Sequence, residues 1–287
     1  MRPAIVTLLY LLAALTILVV YTRRAGRVGL GRYHVLGAAI WGGVGGVVGA
    51  RLLYLLLRVD RVAVDPAMLL DPWGTTISWG AYVGGVLGFV LYLAMRREPV
   101  GAYVDAAGST LGLGPFFGRL ACFVNGDDYG AVTNVPWGVT YPSGSYAFTD
   151  HAARGLVGPS AAESLSVHPV QLYLAANGLL LFLGFSWLWG RMAKGERRLA
   201  DGWLGRGLRP GSLFLLYWAV YGLTRFGWEF FREDDGRLRV AGLPDGQLLA
   251  LVVGLAAAVA VVVRERRVRP SDQHASLNVV GGPSGGS

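Results

Sequence analysis

The sequence contains few of the residues that build disulfides, metal centres and soluble surfaces. It has a single cysteine, Cys122, which excludes an internal disulfide and any metal cluster held by several cysteines. Its four histidines are scattered without an HExxH spacing, so we predict no bound metal. Charged residues make up only 15% of the 287 residues, and this excludes an ordinary soluble domain.

Apolar residues dominate the chain, which is 53% hydrophobic and has a mean hydropathy of +0.46. A run of about 20 apolar residues is long enough to cross, as a helix, the roughly 30 Å hydrocarbon layer of a bilayer. We therefore predict an all-α polytopic membrane protein with seven transmembrane helices. The predicted spans are 4–21, 34–57, 76–95, 101–122, 168–190, 211–231 and 244–263.

The distribution of basic residues predicts the orientation of these spans. With the N-terminus outside, sixteen lysines and arginines fall in internal segments, seven in external segments and three within or at the edge of spans. The positive-inside rule therefore favours an external N-terminus and an internal C-terminus. This topology, together with anionic lipid of the inner leaflet, accounts for the net charge of +8, and nothing in the sequence indicates a nucleic-acid module.

We expect one transmembrane domain over residues 1–270, with an external loop, 123–167, over the site. The tail, 271–287, is rich in glycine and serine, and we expect it to be disordered.

The second span combines closely spaced glycines with a charged residue. The spacing within Gly42–Gly49 favours close approach of helix backbones in lipid. Arg51 follows in the same span, and six apolar residues separate it from Arg58. We expect Arg51 to face the bundle interior, either in a structural salt bridge or in contact with a ligand.

A polar cluster lies at the end of the fourth predicted span. Arg119 is followed by Asn125, Gly126, Asp127, Asp128, Tyr129 and Gly130. Ionisable residues in a membrane are costly and indicate a functional site by default, whereas the alternative is an arginine that extends to the lipid headgroups before an ordinary turn. Asp105 lies deeper in the same span, and we expect it to pair with Arg51 or Arg119.

The sixth span carries a polar stripe, since Tyr217, Tyr221, Arg225 and Glu229 recur every four residues. Arg225 and Glu229 can pair along this face. They form either a structural ion pair or, together with Arg119 at the external side, part of a shared cavity.

The segment SVHPVQLY precedes the fifth span. Pro169 suits the first position of a helix, which puts His168 at the helix boundary and Gln171 in the first turn. His168 then acts either as a cap or solvent contact, or as a contact for an anion at the positive end of the helix.

Three segments together resemble the bacterial prolipoprotein diacylglyceryl transferases: GRLACFVNGDDYG with PWGVTYP, VHPVQLY, and YGLTRFGWEFFRED. VGARLLYLLL and ISWGAYVGGVLG add weaker support, and the match extends in register from Trp41 to Asp234. The resemblance implies seven helices with an external N-terminus, in the bacterial plasma membrane, with the active site toward the outer leaflet.

The resemblance also implies a reaction. The diacylglyceryl group of phosphatidylglycerol passes to the lipobox cysteine thiol of a preprolipoprotein, which leaves a thioether and releases glycerol phosphate. No metal or organic cofactor is implied, and the partners are these two substrates and membrane lipid.

The resemblance assigns roles to matching residues. Arg119 resembles the arginine that holds the lipid phosphate, and Arg225 resembles a second essential arginine with Tyr221 and Glu229 beside it. Arginine suits both roles because its fork binds phosphate oxygens in two places, and positive potential favours the thiolate and the departing phosphate. The other positions expected to bind lipid or substrate are Asn125, Gly126, Asp127 (where a glutamate is more usual), Gly130, His168, Asp105 and Arg51.

The sequence departs from the family pattern in three places. Tyr82 occupies the place where the family often has a histidine; with a pKa near 10, a tyrosine is a poor base but can donate a hydrogen bond to the leaving phosphate. Cys122 stands where many members have asparagine, and we interpret it as a packing residue because the attacking sulfur belongs to the substrate. The N-terminal amphipathic arm with its WYG-like motif is missing, which affects engagement of the protein substrate more than lipid binding.

Two other functions remain as alternatives to an active transferase. One is a divergent relative that binds phospholipid headgroups without transferring them. The other is a small-solute transporter with Arg51, Arg119, Asp105 and Arg225 along its path, which the lack of an internal repeat disfavours.

Overall fold

A computed structural model of the chain describes residues 2–70, 78–158, 160–193, 208–233, 239–240 and 242–266. These residues are mostly helical. The α-helices are α1 (Arg2–Arg27), α2 (Arg32–Leu57), α3 (Val59–Val64), α4 (Ser78–Met95), α5 (Val100–Gly108), α6 (Leu113–Asn125), α7 (Tyr146–Ala153), α8 (Val170–Ala193), α9 (Ser212–Trp228) and α10 (Asp245–Arg266). Short 3-10 turns cover Pro66–Leu70 and Glu229–Phe231, and two short strands, β1 (Arg239–Val240) and β2 (Leu243–Pro244), pair antiparallel.

Four of the described helices are long and apolar enough to cross a membrane: Pro3–Arg27, Arg32–Leu57, Val170–Ala193 and Gly246–Arg266. A fifth apolar helix, Gly80–Met95, is shorter. The predicted helical architecture is therefore confirmed, whereas seven spans and the placement of the termini stay predictions. The expected disordered tail, 271–287, lies outside the described residues, as do residues 76–77 of the third predicted span.

The fourth predicted span, 101–122, contains two helices instead of one continuous helix, and its crossing of a membrane stays a prediction. α5 ends at Gly108 and α6 begins at Leu113. The hydroxyl groups of Ser109 and Thr110 donate to the carbonyls of residues 106 and 107 at 2.7 Å each, and such local bonds compete with the helix for its acceptors. Two hydroxyl side chains at the end of α5 therefore contribute to the break.

Buried Arg24 of α1 stabilises this break. Its Nη1 donates to the backbone carbonyl of Ser109 at 2.8 Å, and its Nη2 donates to Ser186 Oγ of α8 at 2.6 Å. The guanidinium also lies 5.2 Å from the ring centroid of Phe182. Arg24 thus ties three helices together where the backbone leaves the helical path.

Glycines set the contact between α2 and α4, as the sequence predicts. A Cβ at Gly45 would lie 2.3 Å from the carbonyl oxygen of Gly84, and one at Gly84 would lie 2.1 Å from that of Gly45. Gly49 and Gly80 meet in the same way: a Cβ at Gly49 would lie 2.3 Å from the carbonyl oxygen of Gly80, and one at Gly80 would lie 2.1 Å from that of Gly49. The two backbones therefore touch along this face, where any side chain would force the helices apart.

The segment between α6 and α8 folds into a small structure of its own. Isolated antiparallel bridges join Val132 and Val139 to Val167, and Pro142 to Glu163. Tyr141, Ala147 of α7 and Val167 form a small buried core, against which Phe123 of α6 packs. The predicted loop 123–167 therefore begins inside α6 and continues as an ordered segment.

Candidate active site

Arg119 lies in the middle of α6 and not at its end, because the helix continues to Asn125. Gly126 ends the helix in the left-handed conformation with φ 77, and its N–H donates to the carbonyl of Cys122 at 2.8 Å. Asp128 is also left-handed, with φ 53, which aspartate tolerates better than most residues. These two positions reverse the chain, so the carboxylate of Asp128 returns to Arg119.

Five side chains form a continuous series of ion pairs, here called the charge network: Arg119, Asp128, Arg232, Glu229 and Arg225. Asp128 Oδ2 pairs with Arg119 Nη1, and Asp128 Oδ1 accepts from Arg232 Nη2 at 2.6 Å. Arg232 Nη1 lies 3.2 Å from Glu229 Oε1, and Glu229 Oε2 lies 3.4 Å from Arg225 Nη2. The two arginines predicted to converge are thus joined through two carboxylates and a third arginine, and the predicted pair of Arg225 with Glu229 is confirmed.

Most of the network is buried. The side chain of Glu229 is 1% exposed, those of Arg225 and Arg232 are 13% and 12%, and that of Asp128 is 37%. Burial raises the pKa of the Asp128 carboxyl, but the guanidinium groups of Arg232 and Arg119 outweigh it and hold that pKa below its ordinary value. Three cations and two anions leave one net positive charge, which suits an anionic ligand.

Backbone contacts fix the two chain segments that carry the network. Gly130 forms an antiparallel bridge with Arg232, and the N–H of Ala131 donates to the carbonyl of Phe231 at 3.0 Å. A Cβ at Gly130 would lie 2.6 Å from the carbonyl oxygen of His168. Three segments therefore meet at a position where only glycine fits, and the geometry gives Gly130 a role in packing.

Asn125 and Asp127 are positioned beside the network. Asn125 Nδ2 donates to Asp127 Oδ2 at 2.7 Å. Fully buried Gln171, in the first turn of α8, donates through Nε2 to the Asp127 carbonyl at 2.7 Å and to the Tyr141 hydroxyl at 3.0 Å. Gln171 thus holds the turn that presents Asp128.

Aromatic residues of α4 and α9 line up next to the network. The ring of Tyr82 meets Trp218 edge-on at 6.2 Å between centroids, and Trp218 meets Tyr221 edge-on at 5.8 Å. Tyr82 lies in the electrostatic field of Arg119 and Arg225. The predicted residues Tyr82 and Tyr221 are therefore brought to the same region as the two arginines.

His168 lies next to the network but outside it. Its Nδ1 is 3.3 Å from the Tyr173 hydroxyl, and its ring packs edge-on against Tyr173 and Phe231 at 6.2 and 5.6 Å. Phe231 precedes Arg232, so His168 supports the segment that carries this arginine.

Asp105 lies away from the other predicted site residues, and its expected pairing with Arg51 or Arg119 is wrong. Its carboxylate accepts from the backbone N–H of Gly211 at 2.6 Å and from that of Phe214 at 3.0 Å. These donors form the N-terminus of α9, whose opposite end carries Arg225. This buried carboxylate is stabilised by the positive end of α9 and not by Arg51 or Arg119.

Arg51 contacts α2 itself and the segment that follows it. Its Nη2 donates to the carbonyl of Met68 at 2.6 Å, and its guanidinium lies 5.5 Å from the ring centroid of Tyr54. Arg51 therefore fastens the 3-10 turn Pro66–Leu70 to α2.

Sequence reasoning missed the role of Arg232, which it counted only as an external charge. The signal was present, because Arg225, Glu229 and Arg232 follow the i, i+4, i+7 spacing of one helical face. Glu229–Phe231 continues α9 as a 3-10 turn, so this spacing keeps the three side chains together.

Three side-chain atoms of kinds that can coordinate a metal ion lie close together near Arg119. The sulfur of Cys122 and carboxylate oxygens of Asp127 and Asp128 lie within 4.8 Å of one another. Both Asp128 oxygens are bound by guanidinium groups, and one Asp127 oxygen by an amide. We therefore assign the Asp128 carboxylate to the organisation of the arginines and the Asp127 carboxylate to the turn that follows α6.

Comparisons with known proteins confirm the family resemblance. The sequence model of the family described as prolipoprotein diacylglyceryl transferase matches residues 5–263. A phosphatidylglycerol–prolipoprotein diacylglyceryl transferase of Geobacter sulfurreducens is 34% identical over 279 residues, which cover 92% of each chain. Proteins of the same name from Rhodospirillum rubrum (32% identical, 80% of this chain and 75% of the relative) and Clostridium tetani (27%, 84% of each) are also similar. The chain belongs to the prolipoprotein diacylglyceryl transferase family.

Proposed function

We propose that this protein transfers the diacylglyceryl group of phosphatidylglycerol to the lipobox cysteine of preprolipoproteins. The observation that carries the proposal is the charge network, which joins the two signature arginines, Arg119 and Arg225, through Asp128, Arg232 and Glu229. The names of the relatives give the same two substrates.

The chemistry requires a thiolate and a phosphate that can leave. The sulfur attacks an sp3 glyceryl carbon, the carbon–oxygen bond breaks, and glycerol phosphate departs with the electron pair. Only the thiolate attacks, and an unperturbed thiol has a pKa of about 8.5. The net positive charge of the network favours both the thiolate and the phosphate as its charge develops.

Arg119 and Arg225 bind the phosphate oxygens in this proposal. The carboxylates of Asp128 and Glu229 fix the two guanidinium groups before the lipid arrives, so little reorganisation accompanies binding. The hydroxyl groups of Tyr82 and Tyr221, on neighbouring helices beside these arginines, donate to the phosphate oxygens. Asn125 and Asp127 hold the turn that carries Asp128.

We place the network at the external face of a bacterial plasma membrane. The proposed topology has seven spanning segments, of which the fourth is the broken pair α5–α6, with the N-terminus outside and the C-terminus inside. The excess of lysine and arginine in the segments that this topology makes internal supports it. The ordered segment 126–169 then covers the external side of the site, in one transmembrane domain of residues 1–270.

Complementation of bacteria depleted of their own transferase tests the function. Thioether-linked lipid on a reporter lipoprotein, measured as a mass increase, is expected with the wild-type chain. Arg119→Ala and Arg225→Ala should each abolish it at normal membrane levels of the protein. Unlipidated reporter despite good expression of the wild type contradicts the proposal; if purified protein then still binds phosphatidylglycerol, the protein is a headgroup binder instead.

A further inference from the structure

A second group of polar side chains joins α7 to the charge network from the external side. The Tyr129 hydroxyl donates to Asp150 Oδ2 at 2.6 Å. Arg154 Nη1 lies 3.2 Å from the same Asp150 oxygen and 3.4 Å from Glu233 Oε1. We call these four residues, Tyr129, Asp150, Arg154 and Glu233, the α7 clip.

Two members of the clip are chain neighbours of the charge network. Tyr129 follows Asp128, and Glu233 follows Arg232. The N–H of Glu233 also approaches the carbonyl of Tyr129, at 3.4 Å. One short helix therefore holds both chain segments whose side chains make the Asp128–Arg232 ion pair.

α7 is itself well anchored, so it can act as a fixed support. Ser145 caps its N-terminus, with its Oγ accepting from the N–H of Phe148 at 3.3 Å. His151 is fully buried, and its Nδ1 accepts from the N–H of Leu165 at 3.2 Å. The ring of His151 also meets Tyr129 edge-on at 5.7 Å.

The clip is more solvent-exposed than the network it holds. The side chains of Arg154, Asp150 and Glu233 are 30%, 42% and 19% exposed. The hydrogen bond from the Tyr129 hydroxyl holds the pKa of the Asp150 carboxyl below its ordinary value, and the Arg154 guanidinium adds to this effect, whereas partial burial opposes it. This carboxyl is therefore charged at neutral pH. An isolated exposed pair stabilises a protein little, but this one links two segments that must stay in register.

We propose that Arg154 is a positioning residue for the transfer reaction, which acts by holding Glu233, and through it Arg232, against the turn that carries Asp128. The inference rests on the proposed function, because its effect is read through transfer. Loss of the clip lets the segment after α9 move relative to the turn after α6. Arg119 and Arg232 then no longer share Asp128 in a fixed geometry, and a misplacement of about 1 Å can lower a rate by as much as 100-fold.

The test uses the purified full-length protein with phosphatidylglycerol in mixed micelles and a lipobox peptide. We expect Arg154→Ala and Glu233→Gln each to lower kcat by about tenfold, with the KM for the lipid changing less. The matched control is Glu163→Gln, which removes a carboxylate from the same external segment. The Glu163 carboxylate is not part of the clip, and it accepts a hydrogen bond of 2.5 Å from the Thr140 hydroxyl. We expect the control to keep wild-type kinetics.

Two readouts separate positioning from a general loss of structure. The reversed pair, Arg154→Glu with Glu233→Arg, is made together with Asp150→Asn, because Asp150 lies 3.2 Å from Arg154 and would repel a glutamate there. It should recover most of the activity that either single change removes. Arg154→Ala should also lower kcat much less in an Asp128→Asn background than in the wild type, because both act through one ion pair.

The outcomes distinguish the clip from the function it serves. The role of Arg154 is overturned if both Arg154→Ala and Glu233→Gln keep the wild-type kcat. It is also overturned if their losses add fully to the loss caused by Asp128→Asn and the reversed pair restores no activity. If Arg154→Ala does not accumulate, Glu233→Gln and the reversed pair decide the same question. An inactive wild type contradicts the proposed function instead.

Discussion

Neutralising Asp128 is the sharpest test of the charge network. Asp128→Asn keeps the shape of the side chain but removes the negative charge between Arg119 and Arg232. A hydrogen bond between charged groups contributes about 1.5–3 kcal/mol, and breaking a fully buried pair costs about 3–5 kcal/mol. Because the Asp128 side chain is 37% exposed, solvent screening reduces these values, and we use about 2 kcal/mol for the loss of fixed geometry. At about 1.4 kcal/mol per tenfold change, kcat should fall by roughly 30-fold.

The two kinetic constants should respond differently to this substitution. The variant raises the net charge of the network by one unit, so an anionic lipid is still attracted, and the KM for phosphatidylglycerol should stay the same or fall. The loss should appear in kcat because the guanidinium groups are present but misplaced. The assay is the mass increase of a lipobox peptide with lipid in mixed micelles, with Glu163→Gln as the control. A raised KM with unchanged kcat would mean that Asp128 contacts the lipid and does not order the arginines.

Titration of the Asp128 carboxyl should contribute nothing to the pH dependence of transfer near neutrality. A group whose pKa is lower in the folded protein stabilises it above the unfolded pKa, about 3.9 for aspartate, and this contribution is lost as the pH falls through the lowered value. The pKa of Asp128 is held below its ordinary value, so its titration should not affect transfer between about pH 5 and 8. Wild-type and Asp128→Asn profiles should therefore run parallel there. A drop in the wild type alone on going from pH 7 to 5 would contradict the lowered pKa.

Three further substitutions test other parts of the structure. Gly84→Val should prevent accumulation of folded protein because the new side chain would meet the backbone of α2. Gly43→Val should be tolerated because the space around Gly43 is open. The yield of folded protein and its thermal stability in detergent compare the two variants. Arg24→Met should cost about 1–3 kcal/mol of stability, since the carbonyl of Ser109 loses its buried donor, while transfer by the folded protein persists. Tyr82→Phe keeps the ring contacts and should lower kcat about tenfold if the hydroxyl donates to the leaving phosphate; unchanged turnover removes Tyr82 from the mechanism.

The sequence predicts the helices well where local composition decides them. Long apolar runs produce α1, α2, α8 and α10. The glycine spacing in α2 predicts a close helix contact, and the structure shows that the partner is α4. The break between α5 and α6 escaped prediction because it depends on Arg24, which is 85 residues away from Ser109 in sequence. Hydropathy averages over such a break and detects only an apolar segment.

The sequence predicts the candidate site residues that belong to family motifs better than it predicts the interaction partner of each residue. Arg119 and Arg225 follow from the motifs, and a helical spacing links Arg225 to Arg232. Asp105 was misassigned because a buried carboxylate can be stabilised either by a guanidinium or by backbone N–H groups at a helix N-terminus. The sequence shows the carboxylate but not which of these two partners reaches it.

The carboxylates of the network explain how three arginines can be held together and still serve an anionic substrate. Without Asp128 and Glu229, three guanidinium groups would repel one another in a region of poor screening. With both carboxylates, the five side chains of the network carry one net positive charge, which is opposite in sign to the charge of a phosphodiester lipid. The departing glycerol phosphate is a monoester, which carries about −1.5 to −2 charges at neutral pH. In the proposed mechanism the arginines, fixed in advance, therefore interact more strongly with the leaving group than with the bound lipid, and this difference would lower the barrier to transfer.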